Sequence, residues 1–127
     1  MTPRPASLAE LARRATVASV FAFELADFLH EFALRGSEAM LTESPIILRD
    51  RYDTGAIHDA WLAAVAVTLA VRLGFPAPLW TRQPERILRY PWFANPGRHM
   101  RALLLLESPA AFRERNLFVS ANALSVA

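Results

Sequence analysis

The sequence predicts an all-α fold, a compact helical bundle of one domain over residues 1–127. Three observations lead there. Apolar side chains recur at spacings of three and four along two long stretches, about 8–34 and 55–73, the period of a helix with a buried face. No stretch alternates apolar and polar residues for long enough to build a sheet. The 127 residues are 54% hydrophobic and 20% charged, enough apolar side chain for one core and too much for a disordered chain.

Ser7-x-x-Glu10 announces the first helix as a capping box, the serine accepting from the third helical amide while the glutamate reaches back to the cap. From Leu8 the helical pattern runs to about Leu34, with a candidate break near Thr16–Val17, and Gly36 supplies the stop. In its second half Glu24, Asp27, Glu31 and Arg35 form one narrow polar stripe. Val17, Phe21, Phe23, Leu25, Phe28, Leu29, Phe32 and Leu34 cover most of the remaining circumference. A helix so apolar needs neighbours on several sides, from its own domain or from another chain.

Residues 37–43 can form a short helix ended by Pro45, and 46–52 read as a connector. Thr54 is the expected cap of the clearest helix, Gly55 to about Leu73. Ile57, Trp61, Leu62, Val65, Leu69 and Leu73 recur there at helical spacing, and Gly74 and Pro76 close it. Pro76, Pro78, Pro84, Pro91 and Pro96 then leave room for one short helix at about 82–89, capped by Thr81. Pro91-Trp92-Phe93 reads as an aromatic plug, with Trp80, Trp92 and Phe93 expected to pack on Trp61 and Val65. A further helix is expected from about Arg98 to Leu106. Ser108-Pro109 should start the next one, since serine caps and proline suits the first helical position. Leu117-Phe118-Val119 is a short extended segment, and Ser120 caps a terminal turn.

Composition removes several function classes. With no cysteine there is no disulfide, thiolate nucleophile or cysteine-ligated metal. Four glycines cannot supply a glycine-rich phosphate loop. All 14 basic residues are arginine, yet the net charge is only +2, which makes no electrostatic case for a dedicated nucleic-acid binder. Val17–Phe23 runs into Glu24, Asp27, His30 and Glu31, and Ala60–Val71 falls short of the roughly 20 apolar residues that a membrane span requires. Arg13–Arg14 stands before an apolar stretch as in a twin-arginine export signal, but that stretch ends at Glu24. The expectation is a cytoplasmic protein with no membrane contact.

Four constellations of residues have the types and spacing of a known chemistry. Asp27-x-x-His30 has the spacing by which di-iron bundles aim two ligands from one helix, but neither His58 nor His99 has an acid three residues earlier. Half a site is all there is, so no metal and no other cofactor is expected. Arg51 and His58 satisfy the Arg-x(4–6)-His spacing of HEPN-like ribonucleases, with Tyr52 where that family usually has a polar residue and Gly55 inside the interval. Ala70 and Gly74 have helix-turn-helix spacing, which Pro78 and Pro84 defeat inside the supposed recognition helix. Arg98, Arg101, Arg113 and Arg115 form a late basic group, the only candidates for partner binding; as helical residues Arg113 and Arg115 point about 200° apart. One of those two is expected to be structural, held by an acid such as Glu107 or by backbone carbonyls, and the other exposed.

From about Thr54 onward a series of motifs stands in a fixed order. They are Asp59-Ala60-Trp61-Leu62-Ala63-Ala64-Val65-Ala66, Gly74-Phe75-Pro76-Ala77-Pro78, Trp80-Thr81, Pro84-Glu85-Arg86 and Pro91-Trp92-Phe93. Arg101-Ala102-Leu103-Leu104, the run from Glu107 to Asn116 and Leu117-Phe118-Val119-Ser120-Ala121-Asn122-Ala123-Leu124 follow. This part of the chain, and less closely the first helix, resembles a poorly characterised family of small helical prokaryotic proteins. Its members occur alone or behind an Xre-type DNA-binding domain, and some sit beside genes for nucleotidyltransferase-like toxins. The resemblance carries no catalytic motif onto any residue here, and the Xre-type domain has no counterpart in these residues. It implies an antitoxin-like partner of a two-gene toxin–antitoxin module, neutralising a protein partner by binding in a homo- or hetero-oligomer, and not an enzyme. The alternatives are an HEPN-like ribonuclease using Arg51 and His58, or a transcriptional co-regulator.

Overall fold

The computed structural model describes residues 3–95 and 97–124. In chain order it has α1 (Leu8–Arg14), α2 (Ala18–Arg35), the single turn α3 (Ala39–Thr42), α4 (Gly55–Leu73) and two 3-10 turns (Leu79–Arg82 and Pro84–Arg86). Then follow β1 (Trp92–Phe93), α5 (Arg98–Glu107), the single turn α6 (Ala110–Arg113) and β2 (Leu117–Phe118). The fold is mostly helical. Against the expectation of no sheet, β1 and β2 pair in parallel, Trp92 with Leu117 and Phe93 with Phe118.

Half of the capping box forms: Ser7 Oγ accepts from Glu10 N at 3.1 Å, but the Glu10 carboxylate accepts from Ala6 N, one residue before the cap, instead of from the cap amide. The expected helix 8–34 is two helices, because Ala15 and Val17 both take extended backbone. Arg51 closes the end of α1, its Nη1 donating to the carbonyls of Ala12, Arg13 and Ala15 at 3.0–3.2 Å. The polar stripe of α2 turns toward the chain's start, with Glu24 paired to Arg14 at 3.0 Å and Glu31 to Arg4 at 3.9 Å, while Glu31 also pairs with Arg35 of its own stripe at 2.6 Å. On the face beside it Phe21, Leu25, Phe28, Leu29 and Phe32 are buried, while Phe23 and Leu34, on the side away from that face, stay exposed.

Helix α4 carries the core. Ala60, Ala63, Ala64, Ala66 and Ala70 are fully buried, and such small side chains let the 3-10 turns and α6 approach its backbone closely. By length and composition α4 could cross a membrane; in this fold half of that window is buried. Its start corrects one expectation. Thr54 occupies the cap position, but its hydroxyl makes no cap bond. Gly55 sets the start instead, since a Cβ there would lie 1.9 Å from the Leu48 carbonyl oxygen. Only glycine lets the connector pass over this end of the helix.

A buried polar hub sits on that same turn. The Asp59 carboxylate accepts from Leu48 N at 2.6 Å and Arg49 N at 3.0 Å, so it caps the connector rather than its own helix. Arg86 faces it at 3.6 Å, and both side chains are wholly buried. Arg86 also donates to the carbonyl of Pro45 at 2.6 Å and to Gln83 Oε1 at 3.1 Å. Its guanidinium lies 4.9 Å from the centre of the Trp80 ring, whose Nε1 donates to the Leu41 carbonyl. Burial pushes the Asp59 carboxyl above its ordinary pKa, and the Leu48 amide, the Arg86 charge and the Arg49 amide pull it back.

The C-terminal half departs from expectation in two places. No α-helix spans 82–89: Pro84 interrupts it, and Thr81 lies inside the first 3-10 turn, donating to the Pro78 carbonyl. Ser108 closes α5 rather than opening α6; its Oγ donates to the Leu104 carbonyl at 2.6 Å and accepts from Val119 N at 2.8 Å. Of the expected aromatic plug, Trp92 meets Trp61 edge-on at 5.9 Å between centroids, whereas Phe93 stacks on Phe118 at 4.9 Å and Trp80 lies against the Arg86 guanidinium; Trp92 and Phe93 are half-buried. Pro96 lies outside the described residues.

Removing one member of a buried ion pair costs about 3–5 kcal/mol, because it strands the other. Asp59→Ala should lose that much in urea unfolding, since it also leaves two amides without an acceptor. Gly55→Ala should destabilise comparably by displacing the connector. A loss below about 1 kcal/mol for both would show that the hub does not hold the connector.

Candidate functional site

Three groups of residues bear on function. In the first, Arg51 and His58, the structure places both in structural settings. Arg51 spends Nη1 on the end of α1. The imidazole of His58 stacks on Phe21, centroids 3.8 Å apart and planes nearly parallel, and its Nδ1 lies 2.6 Å from Tyr52 Oη. Burial lowers the imidazole to about 4. It also raises the Tyr52 phenol to about 12, where Asp59 adds to the rise and Arg51 opposes it. With the ring neutral and the phenol protonated, Tyr52 donates to Nδ1, which leaves the imidazole proton on Nε2. Tyr52, set between the two motif residues, binds His58.

The second group is the late arginines. Arg98 and Arg101 lie one turn apart on α5 and are exposed, as is Arg113 on α6. Arg101 places its guanidinium 5.4 Å from the centre of the Phe93 ring. Arg115 does not join them. It is buried, with Nη1 donating to the Ala111 carbonyl at 2.9 Å and Nη2 to the Thr81 carbonyl at 3.1 Å. The helix ends at Arg113, so Arg115 enters the turn and its planar fork reaches two backbone oxygens on different segments. It cannot serve as an exposed contact for a partner.

The third group was not singled out from sequence. Of the four leucines in α5 only Leu104 is buried, while Leu103, Leu105 and Leu106 are 40%, 49% and 81% exposed. At 100° per residue Arg98, Arg101 and Leu105 share one face, and His99, Leu103 and Leu106 share the next. This helix therefore presents apolar side chains edged by arginines over more than half its circumference. The signal was in the sequence as Leu103-Leu104-Leu105-Leu106, since a run of four covers every side of a helix and cannot be buried on one. Among the described residues no three His, Asp or Glu side chains gather as metal ligands, and Asp27 and His30 lie on the outer part of α2.

Compared with protein-family models, curated proteins and solved structures, the chain shows no match.

Arg115→Lys should cost about 1–3 kcal/mol, since an ammonium cannot reach both carbonyls and one is left buried without a donor. Arg113→Lys should change stability by less than about 0.5 kcal/mol. Thermal melts that affect both variants equally would contradict this division.

The His58 environment gives a pH dependence of known sign. The unfolded imidazole takes up its proton near 6.5 and the folded one near 4, so its contribution to stability is complete above 6.5 and is lost as pH falls toward 4. At most about 3 kcal/mol is at stake. In His58→Gln the fall in melting temperature over that interval should be shallower than in the parent; an unchanged profile would remove His58 as its source.

Proposed function

We propose that this chain is a non-catalytic interaction protein, an antitoxin-like member of a two-gene module that neutralises its partner by binding it. One observation carries the reading. Leu103, Leu105 and Leu106 lie in the open together on α5 beside Arg98 and Arg101, so that, unlike the exposed apolar residues of the other helices such as Phe23, Leu34 and Val71, they come from one four-leucine run edged by two arginines. Exposed apolar area edged by charge is the usual form of a protein-binding surface. The arginines favour an acidic rim on the partner. The resemblance of the sequence from Thr54 onward supplies the partner class, a nucleotidyltransferase-like toxin encoded beside it. In this reading the chain is a single-domain helical bundle working in the cytoplasm, and α5 is the face left over once its core is closed.

Co-expression with the product of the adjacent gene tests it. The two should co-purify and elute together in size exclusion. Leu103→Ser combined with Leu106→Ser should abolish the complex and leave the melting temperature of the free chain within about 2–4 °C of the parent. A strictly monomeric chain that never retains the neighbouring product would end the proposal. Growth arrest on expression of the chain alone, cured by His58→Ala, would assign RNA cleavage instead.

A further inference from the structure

A cleft of about 410 Å³ opens between the start of α4, the connector at Arg49 and the extended segment Ile87–Trp92. Small-molecule sites span about 300–1,000 Å³, so the cleft is large enough for one compact ligand. Two of its lining side chains are arginines, Arg49 and Arg89, and none is acidic. Among the described residues neither guanidinium forms an ion pair. Tyr90 stands 70% exposed at the rim, and Arg89 lies 5.4 Å from the centre of its ring. Ile57 and Trp92 supply apolar floor.

The wall that bears Arg89 and Tyr90 is braced from behind. Leu88 N donates to the Arg115 carbonyl at 3.2 Å, and Trp92 N to the Asn116 carbonyl at 2.8 Å. Asn116, in left-handed backbone at φ 62°, returns a bond from Nδ2 to the Leu88 carbonyl at 2.7 Å. These bonds hold the segment on its inner side, and the exposed Arg89 and Tyr90 project from it as a formed surface. Two guanidiniums that form no ion pair among the described residues, an open aromatic ring and an apolar floor without acids select an anion that carries a flat, apolar body. A nucleotide has both parts: a phosphate for the guanidiniums, and a base that stacks on aromatic and guanidinium planes.

We propose that this cleft binds a nucleotide, its phosphate held by Arg49 and Arg89 and its base stacked against Tyr90. The same chemistry is offered by a free mononucleotide and by one nucleotide of a single-stranded RNA. The small net charge of the whole chain does not oppose this, because the two arginines are concentrated at one cleft. The proposal goes beyond the partner-binding reading and does not rest on it, since α5 contributes nothing to the cleft.

Titration with adenosine 5′-monophosphate, adenosine and a six-residue oligoadenylate, followed by calorimetry, tests it. The nucleotide or the oligonucleotide should bind, and adenosine should bind at least about tenfold more weakly than the nucleotide for want of a phosphate. Tyr90→Ala should weaken binding about fivefold or more, the loss expected from one stacked base. Arg89→Gln should weaken it as well, and both exposed substitutions should leave the melting temperature in place. Saturation by the mononucleotide alone assigns a free nucleotide; binding of the oligonucleotide alone, lost in the same variants, assigns RNA. The proposal is overturned if nothing binds at about 1 mM, if adenosine matches its monophosphate, or if binding survives both substitutions.

Discussion

The fold depends on a carboxylate and a guanidinium taken wholly out of water. Burying Asp59 alone would be prohibitive, and burying Arg86 alone equally so. Together they are affordable only because each of their remaining polar atoms finds backbone or amide partners. Those partners belong to different segments: the connector at Pro45, Leu48 and Arg49, the first turns of α4, and the 3-10 turn at Gln83. Trp80, under the Arg86 guanidinium, ties in the end of α3 through the Leu41 carbonyl. Apolar contacts tolerate a small slip of one segment past another. These bonds do not, because a slip of one residue would leave a buried charge without its acceptors. The hub therefore sets register where alanine-rich packing alone would leave it loose.

The same device recurs at smaller scale toward the C-terminus. Arg115 bonds the carbonyls of Ala111 and Thr81, and Ser108 joins the end of α5 to Val119. Irregular segments rich in proline cannot satisfy one another with regular ladders, so long polar side chains reach across to their backbone. Such a frame closes the core without α5, whose chief neighbour is β2 and which buries one leucine. A helix with so little structural duty can carry apolar residues that the fold does not use. On that account the surface proposed for a partner follows from how the rest of the molecule is held.

Much of this was legible in the residues. The helical period over 55–73, the Ser7 cap and the stops at Gly36 and Gly74 all depend on local chemistry, and they form where the pattern puts them. That one of Arg113 and Arg115 is held by backbone carbonyls and the other exposed followed from helix geometry; which of them is held shows only in the fold. The hub did not. Asp59 in an apolar run was the available sign of a buried acid, but its partner lies 27 residues away and no spacing rule links them. Ser108 has the local signature of an N-cap, and a long-range bond to Val119 outweighs it. The β1–β2 pair escaped for the same reason: two residues per strand leave no periodicity to read. The Arg49–Arg89–Tyr90 cleft joins segments that only the folded chain brings together.

Native-state hydrogen exchange tests the central claim most directly, that the hub holds the connector while α5 is only lightly held. The amides of Leu48 and Arg49, which donate to the Asp59 carboxylate rather than to any helix or strand, should exchange as slowly as those of Ala63–Ala66 in the middle of α4, through global unfolding. The amides near the middle of α5 should exchange far faster, through local opening. Rapid exchange at Leu48 and Arg49, or protection of α5 equal to that of α4, would contradict the account.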